Sequence, residues 1–506
     1  MAGINYSKTT SKSEIGGGRA LLLLLLFFLA VYNFINVGYN AFVMVCIIPC
    51  LFVAGYVFLK YKMALFWTLF TINFFVMFIT RHFPIPVPTS MINELLELML
   101  IGLALLDVAR YRFSDTLNVM FVMLLVWMAF CCLEIFNDSC GIGINVYRWY
   151  TGARLMSFQL VYALVVMTIY INTPQKLVRL LVVWAFFILF AGFWVWKQQK
   201  IGLTAAEKSF IYNSPAHFMS GRIRYMSCFS DAANFGVHLA SAAVVFIVVG
   251  IYMKIKRLRI FFFVMGFIAI WAFFSSGTRT AMACLIAGMA MFIILCKSRK
   301  VMLSAGAVFL IAFFFLAFTK IGNGNSQIRR MRTLFDKEDA SLGVRDMNKA
   351  TLRKYMAEVP WGIGIGLEGY DIPPFNKFRL ITQVPPDSEY VYIWVRTGKV
   401  GLTVFIITTV IMFIGACIVV WFRIRSDSLR GVGIGFTCAF FTLHLGGYAN
   451  QILMQFPNVL IFYGGLALVY ALPSMEEAWN KWEAGELAKQ EERKRLRLEK
   501  KRASRV

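Results

Sequence analysis

Long apolar runs, nearly free of charge, constrain this sequence more than any other feature. Residues 20–38 read ALLLLLLFFLAVYNFINVG, and residues 158–171, 261–274 and 302–318 contain no charged side chain. A helix that crosses a bilayer needs about 20 such residues, whereas in water these runs would expose far too much apolar surface. Only 15% of the residues are charged, against about a quarter in soluble domains. The pattern predicts an integral membrane protein built from helices.

The number and order of the runs predict an all-α, polytopic membrane helix bundle. We count about 14 transmembrane helices, within a range of roughly 12–14. The predicted spans are 20–38, 41–59, 63–80, 92–107, 117–136, 156–171, 178–196, 233–252, 259–275, 280–296, 301–318, 399–421, 431–448 and 453–472. The first run is followed by Asn-Val-Gly-Tyr-Asn rather than a small-residue cleavage site, so we predict a membrane helix there and not a cleaved signal peptide.

Basic residues lie in every second turn between the predicted spans. They are Lys60, Lys62, Arg110, Arg112, Lys176, Arg179, Lys254, Lys256, Arg257, Arg259, Lys297, Arg299, Lys300, Arg423, Arg425 and Arg430. Short loops rich in lysine and arginine stay on the cytoplasmic side, so both termini are predicted to be cytoplasmic. The net charge of +25 is then explained by topology and by contact with anionic lipid, and no nucleic-acid partner is predicted.

This threading divides the chain into five predicted regions. They are a cytoplasmic N-terminal tail at 1–19, a first bundle of about 11 helices at 20–318, a large outer loop at 319–398, C-terminal membrane helices at 399–472, and a charged cytoplasmic tail at 473–506. The loop between helices 11 and 12 is too long for a simple connector, so a functional element made of short helices is predicted there.

Arginines occur in the outer loops, where the positive-inside bias does not place them. Arg222 and Arg224 share one loop, Arg345 lies in the long loop, and Arg279 lies in a tight turn between two spans. A lone cation in so short an outer turn is predicted either to bind an anionic partner or to extend to lipid phosphate.

Motifs accompany these arginines in a fixed order along the chain. Arg224 is followed by Asn234 and Gly236 at the start of a span, and Ser276-Gly-Thr-Arg279-Thr forms the turn between two spans. In the long loop, Arg345 precedes Pro360-Trp-Gly-Ile-Gly-Ile-Gly366, and Asp387-Ser-Glu389-Tyr390 precedes Gly398-Lys-Val-Gly401-Leu. Over residues 220–402 this pattern resembles the O-antigen ligase and O-antigen polymerase superfamily of bacterial envelope polysaccharide assembly. Asp387 stands where ligases of that family commonly have histidine.

The resemblance implies a glycosyltransferase at the periplasmic face of the bacterial inner membrane. Its donor would be an undecaprenyl-diphosphate-linked glycan, and its acceptor a second glycan or a lipid A core, with other polysaccharide-assembly membrane proteins as further partners. Guanidinium groups can donate two hydrogen bonds at once to a diphosphate leaving group. We therefore predict diphosphate binding by Arg222, Arg224, Arg279 and Arg345, with no cofactor and no metal. The acidic residues Asp336, Glu338 and Asp339 are interpreted as a solvated run.

The predicted catalytic residues are Arg279 and Arg345 together with a general base for the acceptor hydroxyl. Asp387 and Glu389 are the candidates for that base, and His238 and His444 are the alternatives. Tyr390 and Trp361 are candidates for sugar contact, although aromatic residues at the mouth of a span also form interfacial belts.

Three functions follow from this pattern. The first is a polymerase of lipid-linked repeat units for O-antigen, capsule or exopolysaccharide, favoured because the histidine of the ligases is missing. The second is a ligase that transfers finished glycan to lipid A core or to protein. The third, from a different class, is a flippase or transporter of the same lipid-linked glycan, which should concentrate its charges at the membrane midplane.

Overall fold

Apolar runs become helices in a bilayer because each backbone N–H and C=O must be hydrogen-bonded within its own segment. A computed structural model of the chain describes residues 24–25, 27–28, 31–32, 53, 55–83, 89–213, 217–219, 222–320, 324 and 340–503. Its α-helices are α1 Lys62–His82, α2 Thr89–Leu105, α3 Val119–Leu133, α4 Val146–Ala153, α5 Gln159–Tyr170, α6 Pro174–Lys200, α7 Ala205–Tyr212, α8 Ala232–Tyr252, α9 Lys256–Phe274, α10 Arg279–Leu295, α11 Arg299–Phe318, α12 Ala340–Met356, α13 Arg379–Gln383, α14 Glu389–Ile418, α15 Asp427–Ala449 and α16 Gly464–Ala503.

Nine helical segments of the described chain are long and apolar enough to cross a membrane. They are Lys62–His82, Val119–Phe136, Val146–Tyr170, Pro174–Lys200, Ala232–Tyr252, Lys256–Phe274, Glu389–Arg423, Asp427–Ala449 and Val459–Lys500. The prediction of a multi-pass membrane protein is therefore confirmed. Most residues of the predicted spans 20–38 and 41–59 lie outside the described residues, so the number of fourteen stays a prediction.

Several boundaries differ from those predicted. The helical segment predicted to begin at 156 begins at Val146 and passes through a wider π-helical turn at Arg154–Phe158. Helix α14 begins about ten residues earlier than predicted and is kinked at Gly398, whose backbone is not helical. At the carboxyl end, α16 contains Pro473 and continues into the charged tail, so the last span and the tail are one helix.

The described residues include two very short β-strands, which an all-helical fold does not predict. Phe218–Met219 (β1) pairs antiparallel with Arg222–Ile223 (β2). The pairing forms a small hairpin in the loop before α8, which is the loop that holds Arg222 and Arg224. The fold class of a helical membrane bundle is unchanged by it.

Helix α8 lies at the centre of the described helices, in contact with α9, α10 and α15. Nearly every side chain along it is buried. Small residues permit the close approach: a Cβ on Gly288 of α10 would come within 2.5 Å of the Thr442 methyl group of α15. The Ser241 and Thr442 hydroxyls, 2.7 Å apart, join α8 to α15. Small residues and interhelical hydroxyl bonds are the usual means of helix association in lipid.

Helices α12 and α13 lie in the second half of the predicted long loop. Their buried apolar side chains form one cluster with the start of α14, and the cluster includes Leu352, Met356, Ile363, Phe378, Ile381 and Val395. This part of the loop is therefore a packed layer on the end of the bundle. By internal contacts the chain divides into Met1–Phe66 and Trp67–Val506, and every site described below belongs to the second unit.

Candidate active site

Two motifs that were recognised separately in the sequence meet at the start of α8. Arg224 donates from Nη2 to Thr278 Oγ1 at 2.9 Å, and that hydroxyl donates to the Ala232 carbonyl at 3.0 Å. Gly236 is needed where the two segments touch, because a Cβ there would lie 2.5 Å from Ser276 Oγ. Arg279 follows Thr278 as the first residue of α10, and it is half-buried. The structure thus places the Arg224 segment against the turn that holds Arg279.

The Arg224 segment is held in place by polar side chains on α1, α6 and α7, of which those on α6 and α7 are buried. Arg81 donates to the Phe229 carbonyl at 2.6 Å, and Gln198 Oε1 accepts from the Ser227 N–H at 3.1 Å. Gln198 in turn donates to Glu207 Oε1 at 2.7 Å. These bonds fix the irregular backbone between the short β1–β2 hairpin and α8.

Glu207 is fully buried and accepts hydrogen bonds on both oxygens. Trp194 Nε1 donates to Oε1 and the Thr204 N–H to Oε2, each at 2.7 Å. Burial alone would raise the pKa of this carboxyl group, but the hydrogen bonds from Thr204, Gln198 and Trp194, together with the nearby Lys197, lower it below its ordinary value. Glu207 is therefore held as a carboxylate at neutral pH.

A second cluster joins the arginine helix α12 to Asp387. Arg345 donates from Nη2 to the Ala449 carbonyl at the end of α15, at 2.9 Å. One turn further along α12, Asn348 donates from Nδ2 to Asp387 Oδ2 at 2.8 Å. Asp387 itself has a backbone φ of +44°, in the left-handed region. The sequence predicted both Arg345 and Asp387, and the structure brings them to one place through Asn348.

The connection between α15 and the last helical segment, residues 450–458, contacts the residues around both clusters. Asn234, in the Arg224 motif, donates to the Phe456 carbonyl at 2.9 Å. Glu389, in the Asp387 motif, accepts on Oε2 from the Leu453 N–H at 2.9 Å. The apolar pattern predicted one membrane helix over 453–472, and this connection was not predicted. Its polar residues Gln451, Gln455 and Asn458, within an otherwise apolar stretch, were the available signal.

Glu389 is placed differently from Asp387. Its side chain is 4% exposed, and its carboxylate bonds the backbone of the 450–458 connection. This arrangement fixes the start of α14 against that connection. Among the two predicted carboxylate bases, Asp387 is the one tied to the arginine helix.

His238 lies in the centre of the bundle and uses both ring nitrogens. Trp184 Nε1, which can only donate, lies 3.2 Å from Nε2, so Nε2 accepts and Nδ1 carries the proton. Nδ1 then donates to Asn458 Oδ1 at 2.8 Å, and Asn458 donates to Asn234 Oδ1 at 2.8 Å. His238 is 0% exposed, so in this conformation it orders the Asn234 motif rather than facing a substrate.

His444 lies between two tyrosines. The Tyr390 hydroxyl is 3.0 Å from Nδ1, and the Tyr463 hydroxyl is 3.2 Å from Nε2. Both ring nitrogens are therefore occupied by neighbours in the described structure. Tyr390, a candidate for sugar contact, uses its hydroxyl in this bond and is half-buried.

Trp361, the other aromatic candidate, stands apart from these two clusters. Its side chain is 51% exposed and lines a cavity of about 500 Å³ with residues from the end of α3. Arg222 lies in β2, and its side chain is outside the described part of the structure.

A buried ion pair that was not predicted from the sequence joins α2 to the π-helical turn after α4. Arg154 Nη1 lies 3.0 Å from Glu94 Oε2, and Arg154 Nη2 donates to Ser90 Oγ at 2.9 Å. On the same helix, Asn93 donates to Glu97 and accepts from Asn73. Carboxylates inside the predicted span 92–107 were the signal, because ionisable groups in lipid occur in pairs.

Within the described residues, no group of three or more His, Cys, Asp or Glu side chains lies close enough together to hold a metal ion. The acidic run Asp336, Glu338 and Asp339 lies outside the described residues.

Comparison with known proteins agrees with the motifs. The sequence model of a family described as O-antigen ligase matches residues 264–406. This range contains the Arg279 turn, Arg345, Trp361, Asp387 and Glu389. No curated protein matches the chain. The motifs predicted this resemblance, and over residues 264–406 the chain is similar to the O-antigen ligase family.

Proposed function

We propose that this protein polymerises undecaprenyl-diphosphate-linked oligosaccharide repeat units at the periplasmic face of a bacterial inner membrane. In this proposal the loop 319–398 is periplasmic, both termini are cytoplasmic, and the product is an O-antigen, a capsule or an exopolysaccharide. The observation that supports it best is the pairing of Asp387 with the arginine helix through Asn348. A carboxylate and a guanidinium brought together at one end of the bundle suit a base and a leaving-group clamp.

The chemistry assigned to these residues is a single displacement. The acceptor hydroxyl oxygen attacks the anomeric carbon, and its proton passes to the Asp387 carboxylate. The bond from the anomeric carbon to the diphosphate oxygen breaks, and the diphosphate leaves with the electron pair. Arg224, Arg279 and Arg345 stabilise the charge that develops on the leaving oxygens, which is the role that preorganised donors serve best. In this proposal the arginines provide the compensating positive charge, and no metal is needed.

Ligation to a lipid A core or to protein is the second candidate. The description of the matched family, O-antigen ligase, favours it, and the displacement is the same with a different acceptor. Asp387 in place of the family's histidine favours the polymerase.

A flippase or transporter is the candidate from another class. The buried Arg154–Glu94 pair is the kind of intramembrane charge that transporters carry. The described arginine motifs gather instead at one end of the bundle, which is the arrangement expected for chemistry at a membrane face.

Purified protein in proteoliposomes tests all three candidates. It is given undecaprenyl-diphosphate-linked repeat units alone, and then with lipid A core or a protein acceptor added. Growth of the glycan chain on the donor alone supports the polymerase, and product that appears only with the added acceptor supports the ligase. Movement of the labelled donor across the bilayer with no new glycosidic bond would rule out both transferases.

A further inference from the structure

The side chain of Trp361 is half-exposed, whereas the backbone at Trp361 and just after it is hydrogen-bonded to neighbouring elements. Asn137 donates from Nδ2 to the Trp361 carbonyl at 2.8 Å. Two backbone hydrogen bonds then join the turn to α14. The Ile363 N–H donates to the Val395 carbonyl at 2.9 Å, and the Gly364 N–H donates to the Arg396 carbonyl at 3.0 Å. A rigid backbone behind an exposed aromatic ring is what a preorganised binding surface needs.

Glycines allow this close approach. Gly362 has a φ of +80°, and a Cβ there would lie 2.5 Å from the Arg396 carbonyl oxygen. Gly398, on the other side, would place a Cβ 1.9 Å from the Pro360 carbonyl oxygen. The Gly-rich turn therefore fixes Trp361 against the kink of α14. Its ring lies nearly parallel to that of Phe130, with centroids 6.3 Å apart and an interplanar angle of 14°.

The cavity beside Trp361 has a polar side formed by the end of α3. Its volume of about 500 Å³ is within the range of roughly 300–1,000 Å³ that small ligands occupy. Glu134 accepts from Asn137 on Oε2 at 2.7 Å, and Asp138 accepts from the Ile142 N–H on Oδ1 at 2.8 Å. Among the described residues, the second oxygen of each carboxylate has no hydrogen-bond donor. Glu134 Oε1 and Asp138 Oδ2 can therefore accept hydrogen bonds from a ligand.

The charge of the cavity selects among ligands. Glu134 and Asp138 are among the described residues that line it, and none of those described residues is a lysine or an arginine. A diphosphate, an acidic sugar or an anionic lipid headgroup would meet the acidic side chains of Glu134 and Asp138, with no lysine or arginine among the described lining residues to compensate them. A neutral or amino sugar fits both sides, because the C–H face of its ring packs on an aromatic face while its hydroxyls donate to carboxylates.

We infer that the cavity between Trp361 and the end of α3 is a glycan subsite for a neutral or amino sugar, separate from the diphosphate-binding arginines. This inference rests on the proposed function, since it names part of the glycan that the enzyme handles. Trp361 is the platform for one sugar ring, and Glu134 and Asp138 accept hydrogen bonds from its hydroxyls.

The test measures binding of the sugar separately from turnover. The full chain is reconstituted in lipid nanodiscs, and oligosaccharides released by partial acid hydrolysis of the source cells' surface polysaccharide are separated into neutral, basic and acidic pools. Saturation-transfer NMR titrations measure each pool's Kd. We expect the neutral or basic pool to bind, Trp361→Ala to weaken that binding about tenfold, and Trp361→Phe to weaken it less.

Matched variants distinguish the possible failures. Trp196→Ala removes another exposed tryptophan, 40% exposed and outside the cavity, and should leave Kd unchanged. Arg279→Lys should also leave sugar binding unchanged. The inference is overturned if no neutral or basic pool binds, if Trp361→Ala binds like the wild type, or if Trp361→Ala weakens only sugar-free polyprenyl phosphate. Sugar binding that depends on Trp361, with no glycan transfer by the wild type, would sustain the subsite and reject the proposed function.

Discussion

Asp387 is positioned by its backbone as well as by its hydrogen bond. Its φ of +44° lies in a region that aspartate and asparagine tolerate better than other residues with a Cβ. It precedes Ser388, the residue before the first turn of α14, and Asn348 of α12 holds its carboxylate. The helix that carries Arg345 therefore also orients the candidate base.

Asp387→Asn removes the charge while keeping a residue that tolerates the same backbone. If Asp387 is the base, the rate of glycan transfer falls about 100-fold or more, with the thermal unfolding temperature nearly unchanged. Initial rates with the lipid-linked donor measure this. Asn348→Ala, which leaves the carboxylate but removes its hydrogen bond, should have a smaller effect. A rate for Asp387→Asn within threefold of the wild type would assign the proton to another group.

Arg279→Lys and Arg345→Lys keep the positive charge but lose the planar fork of donors. Because an ammonium cannot make the two parallel hydrogen bonds of a guanidinium, each variant should lower the transfer rate on the order of tenfold to a hundredfold. Arg353→Lys is the control, since Arg353 is exposed on α12, the helix of Arg345. Normal rates in both test variants would remove the diphosphate-clamp argument.

At the level of elements, the turn 360–366 and helix α14 depend on each other. Gly398 has φ +66° and ψ −166°, a combination that is essentially restricted to glycine. It lets α14 bend at the point where the Pro360 carbonyl approaches. The kink and the turn therefore form one structural unit behind Trp361.

Gly398→Ala should disrupt this unit. A Cβ would clash with the Pro360 carbonyl as well as strain the backbone, so we expect a loss of about 2 kcal/mol or more in the free energy of unfolding. Thermal unfolding in detergent measures the change. Gly485→Ala is the matched control, because that glycine lies in α16 with no atom near its missing Cβ, and it should be neutral or slightly stabilising. Equal unfolding temperatures for the two variants would contradict the packing described.

A second prediction at the level of elements concerns Glu207, whose hydrogen bonds with Trp194 and Gln198 join α7 to α6. Its pKa is lowered below the ordinary 4.5, so its charged form stabilises the fold at pH values above about 4.5, and that contribution is lost as pH falls through the lower folded pKa. Glu207→Gln should cost about 2 kcal/mol at pH 7. The gap in unfolding temperature from the wild type should shrink below pH 4.5, and a gap that is equal at pH 7 and pH 3.5 would contradict the charged role.

At the level of the whole molecule, the functional proposal depends on sidedness. Phe375, which is 99% exposed in the loop before α13, should face the periplasm, and the exposed Lys481 of α16 the cytoplasm. In intact spheroplasts, an impermeant maleimide should label Phe375→Cys and should label Lys481→Cys only after lysis. The native chain is the background control. Labelling of Lys481→Cys before lysis would invert the topology and remove the periplasmic site.

The sequence by itself determined the helical membrane fold and most of the residues to examine. Apolar runs must become helices in lipid, because no water is present to bond an open backbone. The order of the motifs indicated a resemblance to the O-antigen ligase family, which the match over residues 264–406 supports. It also singled out Arg224, Arg279, Arg345 and Asp387.

Only the tertiary structure decided which of those residues meet and through which partners. Asn348 and Asp387 lie on separate elements. The connection 450–458 contacts Asn234, although more than 200 residues separate them in the sequence. Contacts between distant segments leave no periodicity in either segment, so local pattern could not predict them. The same reason applies to the cavity beside Trp361: its polar wall comes from the end of α3, and packing alone brings that wall to the Gly-rich turn.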